Sequence, residues 1–175
     1  VVILAIGMTL VVSASAGTDI SVGSVMSLSG GLCCMLLAGY GVTNVSEYKV
    51  PLVVGILAGI LLAIICGIFN GFLVAYLNIQ PMVATLILWS AGRAIGLLLC
   101  NSAIVYVRVP SFQFLGSYCG PIPTPILVAA ACVAITALIL KFTAVGTFVQ
   151  AVGINKKAAR ISGFNSSKII LICYA

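Results

Sequence analysis

A short polar stretch between two apolar segments holds one of the two acidic residues of the chain. Thr18, Asp19 and Ser21 lie within residues 17–24, which interrupt the surrounding apolar sequence. A carboxylate and two hydroxyls at this spacing can hydrogen-bond a polar solute. The carboxylate can equally cap the following helix by accepting from its first N–H groups. Both interpretations are open, since non-helical backbone at membrane depth is tolerated only inside protein or beside water.

Two further polar side chains fall inside long apolar segments. Asn70 can form an interhelical hydrogen bond or contact a solute. Arg93 is the thirteenth residue of the apolar span 81–100, where a guanidinium costs ~2.5–3.5 kcal/mol on insertion scales. It should therefore pair inside the bundle, face water or extend outward to the interface. The sequence predicts a translocation path that includes Thr18, Asp19, Ser21, Asn70 and Arg93.

A small basic island occupies residues 153–163. Asn155 is a good N-cap and Gly163 a good C-terminal stop, so a short helix is predicted between them. Lys156 and Arg160 share a face and repel each other unless an acidic partner or a lipid phosphate lies close. The pattern is typical either of a cytoplasmic docking helix or of a juxtamembrane helix that only enforces topology.

The two alanines of this island, Ala158 and Ala159, offer a flat surface for close docking.

No motif in the chain indicates that it catalyses a reaction. Histidine and CxxC pairs are absent, so metal-site spacing is missing, and no phosphate-binding G-x-x-x-x-G-K-[ST] motif occurs. Cys100 and Cys119 are candidates for a disulfide, although spacing alone cannot establish its geometry. We therefore expect no enzyme activity, metal or cofactor.

Composition points to a membrane protein. The chain is 63% hydrophobic and 6% charged, with a mean hydropathy of +1.34, whereas soluble domains carry about 25% charged residues. Residues 50–92 and 109–140 contain no charge, and about 20 apolar residues suffice to cross a bilayer as helix. The net charge of +6 rests on a few localised cations. Cytoplasmic positive loops explain it better than nucleic-acid binding.

These features predict an all-α, polytopic transmembrane bundle with a broken helix near Asp19. Residues 1–175 are expected to form one transmembrane domain, a fragment of a longer protein, since the chain begins and ends inside apolar segments. The basic loop 141–168 should face the cytoplasm, and its first turns can still be helical. The predicted helices are 1–16, 25–40, 50–77, 81–100, 126–140, with Pro125 in its first turn, and one that begins near 169.

A stripe of small residues follows one face of the predicted helix 50–77. Its members recur every four positions, which lets backbones approach closely. Intramolecular helix packing and a subunit interface are both compatible with such a stripe. The stripe consists of Gly55, Gly59, Ala63, Gly67 and Gly71, and Gly92 and Gly96 repeat the motif one span later.

The basic island also resembles a known family. Lys157-Ala158-Ala159-x-x-x-Gly163 is similar to the Glu-Ala-Ala-x-x-x-Gly coupling motif of ABC importer permeases, with lysine in place of glutamate. The wider segment 151–163 resembles the cytoplasmic loop of ribose- and galactofuranose-type sugar permeases. Similar stretches occur in the same order at Ala5–Leu10, Asp19–Gly23, Asn70–Gly71 and Ile79–Leu86, followed by Arg93. The family's Gly-Gly-Ile before the aspartate is Ala16-Gly17-Thr18 here.

This resemblance implies a pore-forming subunit of a bacterial inner-membrane monosaccharide importer, without the C-terminal half of such permeases. It implies a separate cytoplasmic ATPase, a periplasmic sugar-binding protein and a second permease subunit as partners within the lipid. The implied contacts to the ATPase are Gly153, Asn155, Lys156, Lys157, Ala158, Ala159, Arg160 and Gly163.

Two other functions remain open at this stage. A secondary transporter would need coupling-ion carboxylates, of which only Asp19 lies in a membrane segment. A non-transporting scaffold would pack through the glycine stripe. Co-purification of an ATPase would favour the importer over both.

Overall fold

The computed structural model describes residues 2–39, 44–45, 49–109, 116, 118–119, 122–163 and 165–175. Within these ranges the chain forms eight α-helices and two pairs of two-residue strands. The helices are α1 (Val2–Ser15), α2 (Val22–Ala38), α3 (Leu52–Ala75), α4 (Pro81–Leu99), α5 (Thr124–Phe142), α6 (Ala144–Ile154), α7 (Lys156–Ile161) and α8 (Ser166–Tyr174). Strand β1 (Asn44–Val45) pairs in parallel with β2 (Tyr106–Val107), and β3 (Tyr118–Cys119) pairs antiparallel with β4 (Ile122–Pro123).

The predicted all-α membrane bundle is confirmed. Helices α3, α4 and α5 are each long and apolar enough to cross a membrane, and the break near Asp19 separates α1 from α2. Proline in the first turn starts both α4 and α5, because its fixed φ suits that position and its missing N–H is not needed there. Pro125 therefore acts as the sequence predicted.

The basic loop differs from its expected extent of 141–168. Helix α5 continues to Phe142, and after a break at Thr143 residues 144–154 form α6, which packs against α1. Val149 and Val152 of α6 are buried. The segment is apolar, so burying it against α1 is favourable. Apart from Lys141 at the end of α5, the basic residues of the segment all follow α6.

Helix α2 packs tightly between α3 and α4. Small residues make this close approach possible, since a Cβ added at Gly59 would lie 3.2 Å from the carbonyl oxygen of Ser29. On the other side, a Cβ at Gly96 would lie 3.4 Å from the Cα of Leu28. Helices in a membrane associate largely through such backbone contact. The three helices therefore form one closely packed unit.

The glycine stripe of α3 divides between two neighbours. Gly55 and Gly59 face α2, whereas Gly67 and Gly71 face α8. A Cβ at Gly67 would overlap the carbonyl oxygen of Tyr174, so the two backbones are in direct contact there. Between these pairs, Ala63 lines a cavity. The four glycines thus serve packing within this chain, one of the two interpretations left open by the sequence.

Helix α1 packs mainly against helices from the far end of the chain rather than against α2. Its neighbours are α6, α8 and α5. One hydrophobic cluster joins α1 to five other helices and lies at the end of the bundle where α7 sits. Its buried members are Val11, Val74, Ala75, Ala84, Val152, Ala159, Ile170 and Tyr174.

Candidate functional site

The break between α1 and α2 is fixed to the start of α4. A Cβ at Gly17 would overlap the ring of Pro81, the first residue of α4. The backbone N–H of Ile20 donates to the hydroxyl oxygen of Thr85 at 3.2 Å. Thr85 is fully buried, so this segment of irregular backbone finds its partners inside the protein, as membrane depth requires.

The carboxylate of Asp19 organises the entry to α2. Its Oδ1 accepts two hydrogen bonds from Ser21, one from the backbone N–H and one from the hydroxyl, both at 2.7 Å. Ser21 precedes Val22, the first residue of α2. The carboxylate therefore holds the residue before the helix rather than a free N–H inside its first turn. Asp19 is therefore not the N-cap that the sequence allowed for; it supports Ser21, which occupies that position. The second carboxylate oxygen of Asp19 has no partner among the described residues.

A third side chain extends this network to α3. The Nδ2 amide of Asn70 donates to the hydroxyl oxygen of Ser21 at 2.9 Å. Because the single hydroxyl proton of Ser21 goes to Asp19, that oxygen can only accept from Asn70, which fixes the orientation of the amide. Asn70 is 1% exposed, Ser21 2% and Asp19 9%. The three residues form one buried chain, Asn70 to Ser21 to Asp19.

Two buried polar atoms near this chain have no hydrogen-bond partner within the described part of the structure. One is Oδ1 of Asn70 and the other is the hydroxyl of Tyr174. Ser15 lies beside Tyr174; its hydroxyl donates to the carbonyl of Val11 at 2.8 Å, and its oxygen can still accept from the hydroxyl of Tyr174. Buried polar groups are almost always paired, so Oδ1 of Asn70 stands out as a buried acceptor without a partner among the described residues.

Asn70 and Tyr174 both line a cavity of about 340 Å³ between α1, α2, α3 and α8. Asp19, Ser21 and Ser29 add polar atoms to its wall, and the remainder is mostly apolar. Ligand pockets are commonly about 300–1,000 Å³ and combine apolar walls with a few convergent polar groups. In size and lining the cavity is suited to one small polar molecule.

The structure brings together only part of the predicted translocation path. Asp19, Ser21 and Asn70 meet at the cavity, whereas Thr18 is exposed and does not line it. Arg93 is also exposed and lines a separate groove of about 320 Å³ beside Trp89 on α4. The guanidinium therefore belongs to a different face of the bundle, where it is exposed instead of paired inside.

Tyr174 is the residue that sequence reasoning missed. It sits in an apolar run, and the residues three and four positions before it, Leu171 and Ile170, are apolar, so no neighbouring polar residue marked it. Among the described residues, no group of three or more His, Cys, Asp or Glu side chains could hold a metal. Cys100 carries a free thiol, and the side chain of Cys119 lies outside the described residues. The structure therefore offers no support for a disulfide between them.

The basic helix α7 begins and ends as the sequence predicted. The side-chain oxygen of Asn155 accepts from the N–H groups of Lys157 at 3.0 Å and Ala158 at 3.1 Å. Gly163, with φ +87°, adopts the left-handed conformation after the helix, which favours glycine at such ends. Two separate local signals thus define a short helix.

The faces of α7 differ sharply. Lys156, Lys157 and Arg160 are exposed and line a small basic cavity of about 160 Å³ together with Ser166. Among the described residues the only acidic side chain, Asp19, lies elsewhere, so no acidic side chain pairs with these cations there. Ala159 is 4% exposed and belongs to the hydrophobic cluster. The expectation that both alanines are available for docking is therefore corrected, because Ala159 faces its own core.

Comparison with known proteins agrees with this architecture. The chain is 39% identical over 177 residues to the galactofuranose transporter permease protein YtfT of Escherichia coli, covering 99% of this chain and 48% of that protein. It is 35% identical to the fructose import permease protein FruF of Bifidobacterium longum, covering 98% of this chain and 47% of that protein. It is 29% identical to the ribose import permease protein RbsC of Escherichia coli, covering 99% of this chain and 52% of that protein.

The chain spans about half the length of the curated relatives it matches. No solved structure matches it. The resemblance to ribose- and galactofuranose-type permeases is confirmed by these relatives. A family model described as branched-chain amino acid transport system / permease component matches residues 1–175. The chain, a multi-pass membrane protein, therefore belongs to this family of permease components.

Proposed function

We propose that this chain is part of the pore-forming permease subunit of a bacterial ABC importer that moves a monosaccharide across the inner membrane. A separate cytoplasmic ATPase supplies the energy, a periplasmic binding protein delivers the sugar, and a second permease subunit completes the pore. Support comes from the relatives, whose names describe permeases for galactofuranose, fructose and ribose. The observation that carries the proposal is the buried polar network on a cavity between membrane helices.

The translocation path passes the break between α1 and α2. Polar groups buried among membrane helices are costly unless they are paired or serve a solute. Here Asp19, Ser21 and Asn70 line a cavity whose other walls are apolar. In such an arrangement a polar solute can replace its hydrogen bonds to water with hydrogen bonds to the protein.

Helix α7 transmits the state of the ATPase to this path. Its basic face is exposed for docking, and Ala159 on the opposite face packs in the cluster that contains Val11 and Tyr174. Both of these residues also line the cavity. A displacement of α7 therefore reaches the cavity wall through packed side chains, and such packed contacts switch between discrete arrangements.

The proposed function is tested with the full-length permease, its ATPase and its binding protein in proteoliposomes. We expect accumulation of one monosaccharide that requires ATP. Uptake driven by an ion gradient without ATP would identify a secondary transporter instead. Absence of both uptake and ATPase association would favour a scaffold. Either result would overturn the proposal.

The variant Asp19→Asn separates the geometry of the carboxylate from its charge. An amide oxygen can accept the same two hydrogen bonds from Ser21, and Asn caps almost as well as Asp. We expect this variant to fold with an unchanged melting temperature but to transport at least tenfold more slowly, because the charge at the cavity is gone. Purification yield, melting temperature and initial uptake rate measure the two effects.

The matched control is Asp19→Ala, which removes the acceptor as well as the charge. Loss of a capping-type acceptor costs about 1 kcal/mol, so this variant should also melt at a lower temperature. Normal uptake by Asp19→Asn would show that Asp19 serves only the local backbone.

A further inference from the structure

We propose that the small basic cavity beside α7 binds the phosphate of an anionic lipid from the cytoplasmic leaflet of the membrane. The cavity lies between α7, the end of α3 and the start of α8, and its volume is about 160 Å³. Lipid binding at this place goes beyond the proposed import of a sugar and does not depend on it. It makes the membrane itself a ligand of the basic helix.

The first argument is the charge of the cavity. Lys156, Lys157 and Arg160 line it, and all three side chains are exposed. Asp19, the one acidic side chain among the described residues, lies elsewhere, at the break between α1 and α2. Like charges four positions apart on a helix, such as Lys156 and Arg160, repel each other. An anion placed among the three cations relieves this repulsion and is attracted by all of them.

The second argument concerns the kind of anion. Lysine and arginine both bind phosphate oxygens, and arginine can do so through two N–H groups at once. Asn78 and Ser167 add an amide and a hydroxyl to the wall, and both groups can donate hydrogen bonds. A cavity of about 160 Å³ is smaller than the pockets of about 300–1,000 Å³ that enclose whole small molecules. It therefore accommodates a charged headgroup and not a complete solute.

The third argument is the level of the cavity in the membrane. Its wall includes Ala75, the last residue of α3. The 24 residues of α3 rise about 36 Å, which exceeds the ~30 Å of the hydrocarbon core, so the helix ends reach the headgroups. Tyr76 follows, is exposed and stacks on Phe72, and exposed aromatic rings are typical of the membrane interface. Basic segments face the cytoplasm, which assigns the cavity to the cytoplasmic leaflet.

The surroundings of the cavity favour a lipid over an acidic side chain of a protein partner. Val74 and Ile170 contribute apolar wall, and Leu77, which precedes Asn78 of the wall, is 55% exposed. Acyl chains can cover such apolar surface while the phosphate stays among the cations. Basic pockets between membrane helices on the cytoplasmic side are a known type of site for anionic headgroups.

The cavity is formed before a lipid arrives and leaves part of α7 accessible. The hydroxyl of Ser166 donates to the carbonyl of Lys156 at 3.3 Å, which connects the start of α8 to the start of α7. Ala158 and Ile161 are exposed but do not line the cavity. A bound lipid therefore does not cover these two residues, which stay available to a cytoplasmic partner.

The test measures stabilisation of the full-length permease in mild detergent, without an ATPase. Its melting temperature is followed during titration with short-chain phosphatidylglycerol, phosphatidylcholine of the same chain length, and inorganic phosphate, since a ligand of the folded state raises this temperature. We expect phosphatidylglycerol to act at about tenfold lower concentration than the other two, because each cation near an anionic lipid contributes about 1 kcal/mol.

Three outcomes of this titration overturn the inference. Equal action of phosphatidylcholine would show that the anionic charge is not recognised. Equal action of inorganic phosphate would assign the cavity to free phosphate and not to a lipid. Absence of any effect of phosphatidylglycerol would leave the cavity without a lipid ligand.

Variants locate the binding in the cavity. Arg160→Gln removes one cation and should weaken phosphatidylglycerol binding about fivefold, and K156Q/K157Q/R160Q together about 100-fold. The side chains are exposed, so the melting temperature without lipid should stay unchanged. Lys168→Gln is the matched control, since Lys168 is an exposed cation of α8 that does not line the cavity. Equal loss of binding in Arg160→Gln and Lys168→Gln would mean general surface attraction and would refute the site.

The competing occupant is an acidic side chain of the proposed ATPase, and the same variants distinguish it. If phosphatidylglycerol has no effect on the isolated permease while Arg160→Gln, but not Lys168→Gln, weakens association with the ATPase, the cavity takes a protein side chain. That result would overturn the lipid site and leave the proposed function standing.

Discussion

Replacing Ala159 by aspartate is expected to lower the yield of folded protein severely and to abolish the proposed ATP-driven sugar uptake. Ala159 is 4% exposed and packs in the cluster that holds α3, α7 and α8 together. An aspartate there buries an unpaired carboxylate and adds atoms to a filled space, which together cost about 3–5 kcal/mol. Size-exclusion chromatography of a fluorescent fusion measures the yield, and proteoliposomes measure uptake.

The neighbouring variant Ala158→Asp is the matched control. Ala158 is exposed on the basic face of α7, so the same substitution should leave yield and melting temperature unchanged. Its expected effect is confined to weaker association with the proposed ATPase partner, because it alters the charge of the proposed docking face. If Ala159→Asp behaves like Ala158→Asp, α7 is not anchored in the core as the structure has it.

Replacing Gly67 by leucine is expected to separate α8 from α3 and to prevent assembly of the permease. Even a Cβ at this position overlaps the carbonyl oxygen of Tyr174, which is backbone and cannot rotate away. Overpacking costs about 1–3 kcal/mol where side chains can adjust, so a backbone collision should reach or exceed that range. Melting temperature and assembly state of the full-length protein in mild detergent measure the effect.

Two alanine variants sharpen this test. Gly59→Ala places a Cβ 3.2 Å from the carbonyl oxygen of Ser29 and should be mildly destabilising, whereas Gly30 of α2 has open space around it. Gly30→Ala should be neutral or stabilising by up to about 1 kcal/mol, because alanine favours helix over glycine. A wild-type melting temperature for Gly67→Leu would show that α3 and α8 do not touch there.

The sequence predicted those parts of the fold that depend on local signals. Pro81 and Pro125 start helices because of their own backbone restriction, and Asn155 and Gly163 bound α7 through contacts within one turn. The break at Asp19 was visible because polar residues stand out inside apolar sequence. In each case the information lies within a few residues of the feature it determines.

It could not be predicted in the same way which helices pack together, or which side of each helix faces the protein. In a membrane helix both the lipid-facing and the protein-facing sides are apolar, so periodicity does not reveal which side is buried. This is why Ala159 was expected on the surface and Arg93 on the path. Tyr174 reaches the cavity only because α8 returns to α3, a pairing between distant segments that leaves no local pattern.

The packing of α1 has a consequence for biosynthesis. Its main neighbours α6 and α8 are made roughly 150 residues later, which at roughly 5–20 residues per second is on the order of ten seconds or more. During that interval α1 lacks these two packing partners. The hydroxyls of Thr9 and Ser15 donate to carbonyls of their own helix at 2.7 and 2.8 Å, so these two groups need no neighbour while the ribosome completes the rest.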